Sequence, residues 1–334
     1  MTRRQGSALD DTVVVDLSMT GSETADTMPR ILCQLLSGAG ALVIRVAAPV
    51  TPDKEPDRPS CPAHPAHGEP VLFDQGNGDD PLSRADVVIV RDVDAIADVA
   101  DSVVVVVIDE GDLVDSHLPI RSHELVAQTV TGAVLEHIPG RPAYNGMQLG
   151  TYGSAINAAT AVVAALIERL GTGLGQRITV SLSMGVIGYM GLAWSGVNNR
   201  DEAAERAIPV GADVPLFKCS DGEYICLSSS PRCPNPLVIL KDLLELDVHP
   251  DALRGSRSTD DLTNYYYNYD AMAEGFQRVS SVDILDQLRR ADFAAEIVRP
   301  PGHAWVMEDV IESRLVETCP HCHAEFVGFP IEGI

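Results

Sequence analysis

The sequence predicts an α/β fold in which a doubly wound, mostly parallel sheet of Rossmann-like type carries helices on both faces. Three observations support this prediction. Residues 12–46 have the pattern of a strand, a helix and a second strand, and residues 154–182 that of a helix followed by a strand. Residues 86–90 and 102–108 are short apolar runs without alternation, as in strands buried on both faces.

The elements can be placed in chain order. The first unit consists of strands at 12–17 and 41–46 around a helix at about 24–36, and residues 47–70, rich in Pro, Asp and His, are predicted to be a loop. Further helices are predicted at 123–136, 154–170, 183–194, 236–246 and 283–290, and an Asp-Gly turn predicts a hairpin at 217–225. The charged segment 198–213 marks the end of the first domain.

Composition excludes several functional classes. The chain has 334 residues, enough for two domains, with 24 basic and 48 acidic side chains and a formal charge of −24. A charge of this sign repels nucleic acids and anionic lipids, so neither is expected as a partner. The first residues lack the apolar run of a secretory signal, and the longest apolar run is too short to span a bilayer, so we expect a cytoplasmic protein.

The seven cysteines do not form the pattern of a disulfide framework. Cys319 and Cys322 form one C-x-x-C pair, and Cys61, His64 and His67 form a second cluster of metal-binding residue types. A zinc ion joining the two clusters is one possibility. A single C-x-x-C pair is a weak signal, and we expect that no metal is required.

Four segments together resemble the family III CoA transferases (CaiB/BaiF family), which include formyl-CoA transferase, carnitine CoA transferase and α-methylacyl-CoA racemase. They are the DLS at 16–18, GALVIRV at 40–46, the helix, turn and strand at 149–182, and the hairpin at 217–225. The resemblance implies a large α/β domain at 10–197, a smaller α+β domain at 210–300 and a return to the large domain at 305–334. It also implies an interlocked homodimer; a heteromer with an active paralogue is the alternative.

The catalytic position of that family departs from its pattern here. In the family, an Asp follows the Leu-Gly pair before the helix and attacks a thioester to form a mixed anhydride. The matching residue is Thr151, whose hydroxyl would need a base and would form a stable ester. A purely structural alternative is that Thr151 or Ser154 caps the helix.

The racemases of the family use a His placed nine residues before a Gly, and His123 and Gly132 have this spacing. The leading hypothesis is therefore an enzyme that handles an acyl-CoA thioester, with His123 as the base that removes an α-proton in an isomerase-like or epimerase-like reaction. The Glu that partners the racemase His is missing at 228–232. The residues expected to bind the substrate and its oxyanion are Gly150, Thr151, Tyr152, Gly153 and Ser154.

Coenzyme A is expected as part of the substrate, not as a permanently bound cofactor. Its phosphates need local cations in so acidic a chain, and Arg45, Arg91 and Arg141 are the predicted contacts. Two alternatives stay open. Transfer could proceed through another carboxylate, of which Glu124 and Glu136 are nearest in sequence, or the chain could be a non-catalytic binding or partner subunit.

Overall fold

A computed structural model describes residues 8–20, 26–46, 80–96, 99–109, 123–134, 144, 146–194, 216–229, 233, 235–255, 267–319, 323 and 325–327. The described residues form two compact units. The first contains those up to Val134, those from Tyr144 to Leu192 and those from Ala304 onward. The second contains those from Ala193 to His303.

The first unit contains most of the regular structure. Its strands are β1 (Val13–Asp16), β2 (Leu42–Arg45), β3 (Val87–Val90), β4 (Val104–Ile108), β5 (Arg177–Val180), β9 (Val316–Thr318) and β10 (Glu325–Val327). Its α-helices are α1 (Thr27–Gly38), α2 (Glu124–Thr131), α3 (Leu149–Thr172), α4 (Leu182–Trp194) and α8 (Glu308–Glu312), and short 3₁₀ helices span Pro81–Arg84, Val93–Ile96 and His303–Val306.

The central sheet confirms the predicted fold class. Strands β1 to β5 pair in the order β2-β1-β3-β4-β5, and every pair is parallel. Side chains of consecutive strand residues pack on opposite faces of the sheet. Val14 packs into the core that contains α1 and α3, and Val15 packs into the core on the other face. All four residues of β3 are buried, which explains why its sequence does not alternate.

Helix α3 is longer than the sequence predicted. It begins at Leu149, before the predicted start at Ser154, and ends at Thr172, followed by the capping residue Gly173 with a left-handed backbone at φ 73°. By length and apolar composition alone α3 could span a membrane, but half of that stretch is buried in the protein. Ala155, Ala158 and Val162 are among its residues in the sheet core.

The second unit is a smaller α+β structure around a separate antiparallel sheet, in the order β6-β7-β8. Its elements are β6 (Leu216–Lys218), β7 (Tyr224–Ser229), α5 (Pro236–Leu243), a 3₁₀ helix (Pro250–Leu253), α6 (Tyr269–Phe276), α7 (Ser281–Arg290) and β8 (Phe293–Ile297). Its core includes the stacked rings of Phe217 and Phe276, with centroids 4.6 Å apart.

The predicted hairpin turn of this unit also anchors a helix. Gly222 supplies the left-handed backbone at φ 88° that the turn requires. The carboxylate of Asp221 accepts hydrogen bonds from the backbone N–H and the hydroxyl of Ser281, both at 2.8 Å, at the start of α7. These hydrogen bonds hold the pKa of Asp221 below its ordinary value.

Candidate active site

The carboxylate of Glu124 lies at the amino-terminal end of α3 and accepts four hydrogen bonds. Its Oε1 accepts from the Gly150 N–H and from Gln128 Nε2, both at 2.8 Å. Its Oε2 accepts from the N–H and the hydroxyl of Thr151, also at 2.8 Å. Glu124 is only 7% exposed, so a buried carboxylate of α2 directly contacts Thr151, one of the site residues predicted from the sequence.

This contact explains where α3 begins. The first N–H groups of a helix have no partner within the helix, and the residue at the capping position, Gln148, makes no side-chain capping bond. Glu124 satisfies two of these groups, and its negative charge interacts favourably with the helix dipole. Gly150 allows close packing here, since a Cβ there would overlap the Leu182 carbonyl oxygen at 2.8 Å and make a tight contact with Glu124 Oε2 at 3.1 Å.

The predicted capping role of Thr151 or Ser154 is therefore wrong. Both residues lie inside α3, Thr151 donating to Glu124 and Ser154 donating its hydroxyl to the Ser181 carbonyl at 2.5 Å. The amides of Gly150 and Thr151, expected to bind a substrate oxygen, bind Glu124 in this structure. A substrate oxyanion would have to displace the carboxylate to reach these two amides.

Gln128 connects this carboxylate to the chain segment before α3. Its Nε2 donates both to Glu124 and, at 2.9 Å, to the Met147 carbonyl. Gln128 is fully buried, and among the described residues its Oε1 has no hydrogen-bond partner. The amide group of Gln128 thus fixes the position of Glu124 relative to residues that lead into α3.

His123 is exposed and is the capping residue of α2, next to Glu124. Its Nδ1 accepts a hydrogen bond from the Leu125 N–H at 3.2 Å. A ring nitrogen that accepts carries no proton, so the imidazole is in the tautomer with its hydrogen on Nε2. In this arrangement Nε2 is a hydrogen-bond donor, whereas removal of an α-proton would require the other tautomer.

Tyr144 is a further residue of the site, and its contact with Glu124 is electrostatic. Partial burial raises the pKa of the phenol above its ordinary value, and the negative charge of Glu124 raises it further. Like an ordinary tyrosine, the phenol is protonated at neutral pH and can act as a hydrogen-bond donor.

An apolar cleft of about 590 Å³ adjoins the start of α3. It is lined by Gly146, Met147, Gln148, Leu149, Tyr152, Ile156 and Tyr189. Its volume lies within the range of small-molecule sites, about 300–1,000 Å³. The predicted site residue Tyr152 therefore faces this cleft, directly after Thr151 in sequence.

The predicted residue Gly153 has a packing role that the structure makes visible. A Cβ on Gly153 would come within 3.0 Å of three backbone atoms of Gly185, so the absence of a side chain allows α3 and α4 to cross closely. This crossing brings Tyr189 of α4 to the same cleft as Tyr152 of α3.

The predicted phosphate contacts lie at the carboxyl ends of the sheet strands. Arg45 is buried at the end of β2, with its Nε 3.4 Å from the buried carboxylate of Asp16. Arg91 follows β3, donates to the Ser18 carbonyl at 2.6 Å and lies 3.6 Å from Asp26. The charges of both arginines are thus balanced within the fold, and Arg141 lies outside the described residues.

The predicted metal-binding residue types do not form a site among the described residues. The described residues contain no group of three or more His, Cys, Asp or Glu side chains able to hold an ion. Cys61, His64, His67 and Cys322 lie outside the described residues. Cys33, Cys219, Cys226 and Cys233 are free thiols.

Sequence reasoning missed two parts of the site, Gln128 and Tyr144. The spacing of Glu124 and Gln128 was an available signal, since residues four apart lie on the same face of a helix. Tyr144 has no comparable signal. Its electrostatic interaction with Glu124 joins residues 20 positions apart, and no local pattern predicts it.

The parallel sheet of the first unit and the separate antiparallel sheet of the second form an α/β fold of the CoA-transferase type. The family model described as CoA-transferase family III matches residues 116–333. This match covers more than half of the chain, and the chain belongs to CoA-transferase family III.

Two solved structures are similar to this chain over almost their full lengths. One is a CaiB/BaiF family protein from Brucella suis, with 17% identity, a TM-score of 0.69 and coverage of 98% of this chain and 93% of that one. The other is the hypothetical protein Rv3272 from Mycobacterium tuberculosis, with 18% identity, a TM-score of 0.70 and the same coverage. At these identities the likeness shows the fold alone. No curated protein sequence matches the chain.

Proposed function

We propose that this protein is an acyl-CoA transferase in which Glu124 supplies the reacting carboxylate. The supporting observation is the contact of the Glu124 carboxylate with both the N–H and the hydroxyl of Thr151, at 2.8 Å. Thr151 stands where the family has its catalytic Asp. Glu124 of α2 thus places a carboxylate at the start of α3, where family members are expected to carry the carboxylate of their catalytic Asp.

The chemistry requires only bond exchange at carbonyl carbons. An oxygen of Glu124 attacks the thioester carbonyl, the carbon–sulfur bond breaks, and CoA leaves as a thiolate, giving an acyl-glutamyl anhydride. The thiolate then attacks the Glu124 carbonyl carbon, which releases the acyl group as a free carboxylate and leaves a glutamyl-CoA thioester. An acceptor carboxylate reverses both steps and departs as the new acyl-CoA.

Thr151 controls when the carboxylate can react. With two donors on each oxygen, Glu124 has no lone pair left in the plane of the carboxylate. The Thr151 hydroxyl can turn away by rotation about one bond, and Thr has two accessible χ1 rotamers in a helix. This rotation frees one lone pair of Oε2 while the three N–H donors keep the carboxylate in place.

His123 acts as a hydrogen-bond donor in this proposal. Its Nε2 carries the proton because Nδ1 accepts from Leu125. An Nε2–H next to Glu124 in sequence suits stabilisation of the oxyanion that forms as the thioester carbonyl is attacked. The reaction needs no general base, so this tautomer is the useful one.

Exchange of an isotopically labelled free acid into its own acyl-CoA tests the proposal. We expect exchange by the wild-type protein, reduction to background in Glu124→Gln, and an about 10²–10³-fold reduction in His123→Ala, the usual cost of losing one oxyanion donor. Glu168→Gln, which changes an exposed Glu of α3, is the matched control. Urea unfolding of each variant, with Glu124→Asp as a second substitution, separates lost chemistry from lost folding.

Two results would overturn this mechanism. One is undiminished exchange in a folded Glu124→Gln. The other is absence of exchange in the wild type together with incorporation of solvent deuterium at the α-carbon of the acyl-CoA, abolished in His123→Ala. The second result would support α-proton removal by His123 in its other tautomer.

A further inference from the structure

We infer that the acyl group accepted by this protein is apolar and uncharged, and that it lies between α3 and α4 in the cleft lined by Met147, Tyr152, Ile156 and Tyr189. The inference rests on the proposed function, because it assigns the substrate class of the same site. It concerns the part of the substrate that does not react.

The direction of the cleft follows from helix geometry. Tyr152 comes immediately after Thr151, and Ile156 lies four residues further along the same face of α3. These two residues are therefore about 6 Å apart along the helix axis. Glu124 is linked to the lining residue Met147 through Gln128, which donates to both. An acyl chain whose carbonyl is at Glu124 can therefore enter the cleft at Met147 and extend along the first turns of α3.

The apolar side chains that line the cleft are exposed to solvent, and a bound ligand could bury them. Met147 is 68% exposed, Tyr152 50%, and Ile156 and Tyr189 47% each. Each methylene that a ligand buries against such surface contributes about 0.8 kcal/mol, or roughly a fourfold gain in affinity. The tyrosine rings also provide flat faces against which an aryl group can stack.

The charges argue against a dicarboxylic acyl group. None of the seven described lining residues is charged. A second carboxylate at the distal end of the acyl chain would lose hydration without a cationic partner among them. The Glu124 carboxylate at the other end adds a like charge instead of a countercharge.

Calorimetry with the full-length protein tests the inference. The ligands are butanoyl-, hexanoyl- and octanoyl-CoA, phenylacetyl-CoA and succinyl-CoA. We expect Kd to fall by about fourfold per added methylene along the straight-chain series, and succinyl-CoA to bind at least about tenfold more weakly than hexanoyl-CoA.

Introducing a cation into the cleft tests its position. Ile156→Lys should weaken octanoyl-CoA binding by about tenfold or more and strengthen succinyl-CoA binding, because the new ammonium group can pair with the distal carboxylate. Ile167→Lys is the matched control: it changes the same residue type on the same helix, 63% exposed and about 16 Å further along the axis. It should leave every Kd within about twofold.

The outcomes separate this inference from the proposed function. Preferred binding of succinyl-CoA, a flat straight-chain series, or equal effects of the two lysine variants would overturn the inference while leaving a thioester-binding enzyme. Absence of binding by every thioester would overturn the proposed function and the inference with it.

Discussion

At the scale of single residues, the contact of Glu124 with Thr151 is the central feature of the candidate site. The two residues are 27 positions apart, and the carboxylate binds the amides of α3 beside Gly150, where a Cβ would lie 3.1 Å from it. The sequence identified His123 and Thr151 as candidate positions. It did not predict that Glu124 connects them, because a contact between separate helices has no signature within either one.

This pairing changes what Thr151→Asp should do. From the family pattern alone, Asp at this position restores the catalytic carboxylate and is expected to raise activity. The structure predicts a different result, because the new carboxylate replaces a donor to Glu124 and faces a like charge. We expect Thr151→Asp to lower the free energy of unfolding by about 2 kcal/mol or more at neutral pH, measured by urea denaturation.

Two further variants make this prediction specific. Adding Glu124→Gln to Thr151→Asp should recover part of the lost stability, since the repulsion then disappears. Thr160→Asp, at an exposed position of the same helix, should stay within about 0.5 kcal/mol of wild type. Equal effects at positions 151 and 160 would mean that the contact with Glu124 is unimportant.

At the scale of elements, the crossing of α3 and α4 shapes both the site and the cleft. Periodicity and non-alternating apolar runs predicted the core strands and the existence of these helices. The start of α3 at Leu149 could not be predicted, since its cap is supplied by Glu124 of α2 and not by a neighbouring residue. The close approach of Gly153 to Gly185 was equally invisible in one sequence.

Gly153→Ala tests this crossing. An added methyl group would overlap the backbone of Gly185, so we expect a loss of about 1–3 kcal/mol in urea unfolding. Gly171→Ala is the control within the same helix, where a Cβ meets nothing within 4 Å. The control should gain up to about 1 kcal/mol from helix propensity. A Gly153→Ala protein as stable as Gly171→Ala would contradict the described packing.

The hydrogen bonds between Asp221 and α7 predict a pH dependence. Because they lower the folded-state pKa of Asp221 below its ordinary value of 3.8, their stabilisation is present above that value and is lost as the pH falls through the lower folded value. Urea midpoints measured from pH 7 down to pH 2.5 should therefore fall less steeply in Asp221→Asn than in wild type. Asp247→Asn, at an exposed position of the same unit, should retain the wild-type slope.

At the scale of the whole molecule, the apolar surface of the first unit raises the question of assembly. Met184 and Ile187 of α4 are exposed large apolar residues that do not line the acyl cleft. Exposed apolar side chains three residues apart on one helix lie on the same face and can form an association surface. The fold class and the family were predictable from sequence motifs, whereas the assembly depends on surfaces that motifs do not describe.

We predict a homodimer in solution. Analytical ultracentrifugation at micromolar concentration should give twice the mass of a single 334-residue chain, because an interlocked arrangement buries a large interface that resists dilution. A monomer at that concentration would contradict the dimer.

The most direct test of the central claim is to trap the reacting carboxylate. After incubation with hexanoyl-CoA, hydroxylamine attacks an activated glutamyl group and leaves a stable hydroxamate, which peptide mass spectrometry locates. We predict the hydroxamate on Glu124 of the wild-type protein, dependent on the acyl-CoA and absent from Glu124→Asn. An unmodified Glu124 in a protein that exchanges label, or a hydroxamate on a different carboxylate, would contradict the assignment of Glu124.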